Sequence, residues 1–119
     1  MDQKCPIYSV VTFAGKRWTV LVLCELYKGR KKWKRYSDVK RKLPDMTPKM
    51  LSTRFKELKA EGLVKHRVDA GAFPVKSEYR LTPKGDDFIK VIMDMKKWGL
   101  KWKIKNEHCE NVNCKYCEL

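Results

Sequence analysis

Lys49, Ser52, Thr53 and Lys56 are cations and hydroxyls that one stretch of helix would carry on a common face, with no acid among them. Hydroxyls can bond base edges, and ammonium groups make charge-assisted bonds to phosphate. Leu51, Phe55 and Leu58 fall at i, i+4 and i+7 of the same stretch, so its other face packs into a core. A helix buried on one side and donor-rich on the other can enter a major groove while its own domain holds it. Thr47 followed by Pro48 marks the helix start, and Gly62 suits a left-handed stop. Thr47 and Arg54 are counted with these four as DNA contacts.

Sulfur is the second source of chemistry. Cys5 precedes Pro6, and a helix dipole favours the thiolate of a cysteine at its N-terminus. Cys5 is therefore a candidate sensor, the alternative being an inert cap. Farther on, three cysteines and a histidine (His108, Cys109, Cys114, Cys117) stand within ten residues. Thiolate and imidazole at this density can ligate zinc, and Cys114-x-x-Cys117 has the bite of a metal knuckle. Adjacent His108 and Cys109 do not easily bind one ion, however, and the usual distant second pair is missing. Cys5 could complete the set if the termini meet. A redox pair of Cys114 with Cys117, or a chemically idle tail, stands beside the metal reading. Cys24 lies among apolar residues and reads as a small core side chain. Neither His66 nor His108 belongs to a nucleophile–base constellation and no glycine-rich phosphate loop occurs, so the chain is not expected to be an enzyme.

The composition agrees with a DNA-binding reading. The 119 residues bound the chain to one domain, and 43% hydrophobic content with four tryptophans argues against disorder. No apolar run approaches the roughly 20 residues of a membrane span, and the N-terminus lacks the pattern of a signal peptide. A cytoplasmic protein with mostly reduced cysteines is expected. The net charge of +14 is unevenly placed. From Lys16 to Lys59 there are 15 Lys and Arg against 4 Asp and Glu, whereas from Asp86 to Glu118 there are 7 against 6. A uniform solubilising coat would not leave the C-terminal third nearly neutral, so the basic half reads as a phosphate-binding footprint.

The elements that must position these residues follow from capping and periodicity. A short apolar helix spans Ile7 to Phe13, and a core helix spans Trp18 to Tyr27, ending at Gly29. A basic loop, Arg30 to Arg35, leads to a short helix from Tyr36 to Leu43 and a Pro44-Asp45 turn before the recognition helix. Leu63 to Val68 and Ser77 to Leu81 alternate as strands around the turn-forming run Asp69 to Pro74. Thr82-Pro83 opens a last helix reaching about Lys103. This order predicts a mainly α fold with a small β-hairpin, a winged helix-turn-helix. Arg67 and Lys76 are the natural wing contacts to DNA, with His66 and Lys65 behind them. A winged-helix interaction module that does not bind DNA is the alternative, but acids would be expected on its recognition face.

These blocks resemble the HxlR family of transcriptional regulators, a branch of the MarR-like winged-helix proteins. The resemblance covers Cys5 to about Trp102. It rests on Cys5-Pro6, on Gly15-Lys16 with Trp18-Thr19, and on Leu51 through Val64. It continues through Glu78-Tyr79-Arg80-Leu81-Thr82 and Gly85 to a late Trp98. Arg17 interrupts the usual Gly-Lys-Trp, the basic loop is longer than usual, and the tail after Ile104 has no family counterpart. Residues 5–104 are thus read as the domain and 105–119 as a Cys-rich tail. The last helix is apolar on more than one side (Phe88, Ile92, Met95 and Trp102 against Ile89, Val91, Met93, Trp98 and Leu100). Burying this surplus and the first helix against a twofold mate is the dimerisation the resemblance implies, and a thicker monomer core is the alternative. A homodimer would place two recognition helices one DNA turn apart on a palindromic operator. The resemblance also implies a thiol sensor at Cys5 with an oxidant or an electrophile as effector, while a metal effector would follow from the tail cysteines.

Overall fold

The computed structural model describes residues 2–117, so the last two tail residues lie outside it. The chain runs α1 (Pro6–Ala14), α2 (Thr19–Tyr27), β1 (Lys34–Arg35), α3 (Tyr36–Lys42) and α4 (Pro48–Ala60). It continues through β2 (Val64–Asp69), β3 (Lys76–Leu81), α5 (Pro83–Trp102), α6 (Glu107–Asn111) and a 3-10 turn (Cys114–Tyr116). The expected mainly helical winged fold is present. Among the described residues no single helix is long and apolar enough to cross a membrane.

The caps act where sequence places them. Thr47 Oγ1 accepts from the Met50 amide at 3.1 Å, and Thr82 Oγ1 accepts from the Gly85 amide at 3.1 Å. Each such cap stabilises its helix by about 0.5–2 kcal/mol relative to alanine. α4 ends in a Schellman turn, with the Gly62 amide on the Lys59 carbonyl and the Leu63 amide on the Leu58 carbonyl. Gly62 occupies the left-handed region there, with φ +82°. Trp18 adopts φ +80° at the start of α2, a conformation that costs a non-glycine residue about 1–3 kcal/mol.

Two features depart from expectation. The sequence of the basic loop predicts no strand, yet Lys34 and Arg35 pair with Tyr79 and Glu78, making a three-stranded antiparallel sheet in the order β1-β3-β2. Two residues are too few to show a strand period, and the pairing closes an edge of β3 that would otherwise be open. The Lys34 ammonium also donates to the Glu25 and Lys28 carbonyls, placing a cation at the C-terminus of α2. The tail, read without secondary structure, forms α6 and the 3-10 turn, each started by an asparagine cap (Asn106, Asn113).

The core gathers Val22, Leu23 and Leu26 of α2 with Val39, with Leu51, Phe55 and Leu58 of α4, and with Leu63, Leu81, Ile89 and Ile92. Leu51, Phe55 and Leu58 are essentially inaccessible, and each contributes about 1.5–3 kcal/mol by burial. Phe55 lies face to face with Tyr79 at 3.7 Å, and His66 stacks on the other face of Tyr79 at 4.3 Å. This three-ring stack joins α4 to β3 and β2. Burial, with Lys59 nearby, pushes the His66 pKa below its ordinary 6.5.

Two outcomes test these contacts. A Cβ on Gly85 would lie 2.2 Å from the Leu63 carbonyl oxygen, a backbone atom. Gly85→Ala should therefore cost about 1–3 kcal/mol. A thermal melt should show Tm falling by at least about 4 °C; an unchanged Tm would show that this junction yields freely. The folded state holds His66 neutral and so binds fewer protons than the unfolded state. Its stabilisation is complete above pH 6.5 and is lost as pH falls from there through the lower folded-state pKa. His66→Phe keeps a ring in the stack and should flatten the decline in stability between about pH 7 and pH 5. Denaturant titrations across that range would reveal an unchanged slope if His66 were not responsible.

Candidate nucleic-acid interface

Three buried side chains turn α4 so that Lys49, Ser52, Thr53 and Lys56 all project to solvent. Thr53 Oγ1 donates to the Lys49 carbonyl at 2.9 Å, leaving its oxygen lone pairs and methyl outward. Ser52 Oγ donates to the Tyr36 hydroxyl at 3.4 Å, and that hydroxyl donates to the Pro48 carbonyl at 2.8 Å. Tyr36 therefore ties the start of α3 to the start of α4. Sequence patterning did not single it out, because its partners are set by the crossing of the two helices.

The arginines behave differently from the lysines. Arg54 turns inward: its Nε donates to the Arg17 carbonyl at 2.9 Å, and its Nη1 meets both Glu57 oxygens at 3.0 and 3.2 Å. Lys16 joins the same carboxylate at 3.2 Å, so Arg54 clamps the α1–α2 connection onto α4. Arg67 Nε donates to Glu78 at 3.1 Å, and its guanidinium lies 4.2 Å from the centre of the Trp33 ring. Arg80 approaches the same ring at 5.6 Å. Lys76 stands opposite Asp69 in the β2–β3 register, Lys65 is exposed, and His66 faces inward with Nε2 2.7 Å from Ser77 Oγ. Thr47 is an exposed helix cap. At the wing tip Phe73 is fully exposed, a residue that reads in the sequence only as part of a turn.

The sulfur groups separate. Cys5 caps α1 through its backbone position only, with its side chain part-exposed. Burial, with Cys114 nearby, pushes the Cys24 thiol up to about 11, so Cys24 stays protonated as a core residue should. The tail folds back over α2: the Gly29 amide donates to the Lys115 carbonyl at 2.6 Å, and the Tyr27 hydroxyl donates to Asn113 Oδ1 at 3.4 Å. Lys96 of α5 reaches the Val112 carbonyl at 3.2 Å. The zinc set expected from His108, Cys109, Cys114 and Cys117 is not assembled. Cys117 Sγ lies 3.9 Å from His108 Nε2, but among the described residues no three His, Cys, Asp or Glu side chains converge. The tail's own path separates them, since Cys109 and Cys114 border a cleft against α5 whereas Cys117 borders another beside α2 and α3. Among the described residues Cys5, Cys24, Cys109 and Cys114 form no disulfide.

Comparison with known proteins matches this arrangement. Residues 13–107 match the model of the HxlR-like helix-turn-helix family. The HTH-type transcriptional regulator YdzF of Bacillus subtilis is 37% identical over 99 residues, spanning 83% of this chain and 88% of that one. A crystal structure of a MarR-family transcriptional regulator from Porphyromonas gingivalis W83 superposes with a TM-score of 0.76 at 29% identity, covering 86% of this chain and 96% of that one. The redox regulator HypR in its oxidized form superposes with a TM-score of 0.72 at 28% identity, covering 84% and 99%. With its winged helix-turn-helix, its recognition helix and its match across most of the length, the chain belongs to the HxlR-like helix-turn-helix family of transcriptional regulators.

Proposed function

We propose that this regulator works as a homodimer that binds a palindromic site in double-stranded DNA. The observation that carries the reading is the outer face of α4, where Lys49, Ser52, Thr53 and Lys56 are exposed on a helix held rigidly from behind. Ser52 and Thr53 read base edges, and Lys56 and Lys49 meet the groove and its phosphates. Lys76 and Lys65 extend the contact along the wing. Arg54 supports the surface from within and Arg67 lies on the wing's outer surface, and each guanidinium already has a carboxylate partner. Dimerisation is supported by apolar side chains that the monomer leaves open: Ile7 is 67% and Val11 53% exposed on α1, and Trp98 is 62% and Trp102 69% exposed on α5. Burying both helices against a mate removes that surface from water.

Cys5 is the proposed sensor. Its sulfur sits at the N-terminus of α1, the apolar helix assigned to the dimer interface, so a change in its oxidation or alkylation state acts where the two recognition helices are spaced. The likeness to a redox regulator supports this assignment. Its effector is an oxidant or an electrophile.

Gel shifts on DNA upstream of the gene test the reading. Ser52→Ala or Thr53→Ala should cost about 1–3 kcal/mol on the specific site and little on random DNA. Lys56→Ala and Lys76→Ala should weaken both about equally, and affinity should fall steeply with salt. Salt-insensitive binding, or a monomer by sedimentation at micromolar concentration, would exclude the dimeric DNA-binding reading. Cys5→Ser should bind DNA like the parent protein yet no longer respond to a mild oxidant. A Cys5→Ser protein that still responds would move the sensor elsewhere.

A further inference from the structure

The end of α2, the basic loop, α3 and the docked tail enclose a cleft of about 280 Å³ that the DNA-binding surface does not use. Among the described residues two carboxylates border it, and each is already paired: Glu25 with Lys28 at 2.9 Å and Asp38 with Arg41 at 2.9 Å. Four more cations border the same space, namely Arg30, Lys31, Lys34 and Lys42. Arg30, Lys31 and Lys42 make no ion pair among the described residues. Lys34 is half-buried at the floor, and burial there pushes its pKa down to about 8, with the neighbouring Lys28 and Lys115 charges acting in the same direction. The described residues thus place an excess of positive charge around a concavity, an arrangement that favours the entry of a counter-charge.

The position of the cleft separates it from the recognition face. At 3.6 residues per turn, Asp38, Arg41 and Lys42 leave α3 roughly opposite Tyr36, whose hydroxyl reaches the first turn of α4. On another side the cleft is walled by Cys117, held there by the tail bonds of Gly29 and Tyr27. A space near the lower end of small-molecule sites, about 300 Å³, suits a metabolite better than a duplex. Val39 and the lysine stems add apolar surface for a carbon skeleton.

We propose that this cleft binds a small organic anion of the carboxylate or phosphate-monoester class, held by Arg30, Lys31 and Lys42 and covered by the tail at Cys117. Such a ligand bridges the tail to α3, the first helix of the helix-turn-helix. Binding itself does not depend on the DNA reading; only a consequence for operator affinity does.

The test uses the full chain with phenyl phosphate, benzoate and inorganic phosphate as probes, and sodium chloride matched in ionic strength as control. Calorimetry and thermal melts should show saturable binding by at least one organic probe, with a Kd of about 1 mM or tighter and a matching rise in Tm. The Arg30→Ala/Lys42→Ala double variant should weaken that binding at least about tenfold, since each lost charge-assisted bond removes about 1.5 kcal/mol or more, while its unliganded melt stays unchanged. The bound probe should slow iodoacetamide labelling of Cys117 several-fold, read by mass spectrometry, without changing the labelling of Cys5. Stabilisation that only follows ionic strength would overturn the proposal. So would binding that the double variant leaves intact, or labelling of Cys117 that ignores the probe. If the double variant fails to alter anion binding but weakens binding to every DNA sequence, the cleft is a backbone contact and the proposal fails while the DNA reading stands.

Discussion

The face-to-face contact of Phe55 with Tyr79, at 3.7 Å, is the constraint on which the working surface depends. Phe55 sits in the middle of the recognition helix and Tyr79 in the central strand, so one buried pair sets the angle between helix and wing. His66 extends the stack to the outer strand of the wing at 4.3 Å, and Tyr36 approaches Phe55 from α3 at 6.2 Å. Four elements, α3, α4, β2 and β3, are therefore referenced to one aromatic column. Large rings suit this role because they bury much area and prefer defined stacking geometries. Loosening the column would shift the recognition face and the wing relative to each other without touching any outward residue.

The basic residues divide by chemistry as well as by place. Arg54 and Arg67 carry rigid planar forks, and both are engaged by fixed partners of the domain: one, largely buried, bridges a carboxylate and a backbone carbonyl, and the other, on the wing's surface, combines a carboxylate with an indole face. The exposed positions of α4 hold Lys49 and Lys56 on flexible stems, and the wing adds the exposed Lys65. A guanidinium fits fixed, planar partners, whereas a hydrated ammonium on a flexible stem adjusts to a mobile one. Net charge alone does not distinguish these uses. Partner geometry does.

The tail adds a further layer. Its amide and side-chain bonds to Gly29, Tyr27 and Lys96 place it across the end of α2 and against α5. That placement divides the tail sulfurs between two clefts and brings Cys114 close enough to raise the Cys24 thiol further. The same docking completes the cationic cleft. A segment that resembles a metal knuckle in sequence therefore acts in the fold as a wall between α2 and its basic loop.

Sequence alone determined α4 and its outward face, because burial period, the Thr47 cap and Gly62 all act within a few residues of each other. The starts of α1 and α5 and the two wing strands were legible for the same reason, as were the resemblance to the family and the surplus apolar surface of α5. Tertiary structure decided what depends on distant partners. Arg54 finds its carbonyl 37 residues away, Arg67 finds Glu78 11 residues away across the strand register, and Tyr27 meets Asn113 86 residues away. β1 is too short for a periodic signal and exists because β3 offers it an edge. The spacing of the tail cysteines describes what they could ligate, but the path of the backbone over α2 sets where each sulfur lies. Local patterns specify which face a side chain occupies, and only the packed fold specifies which atoms await it there.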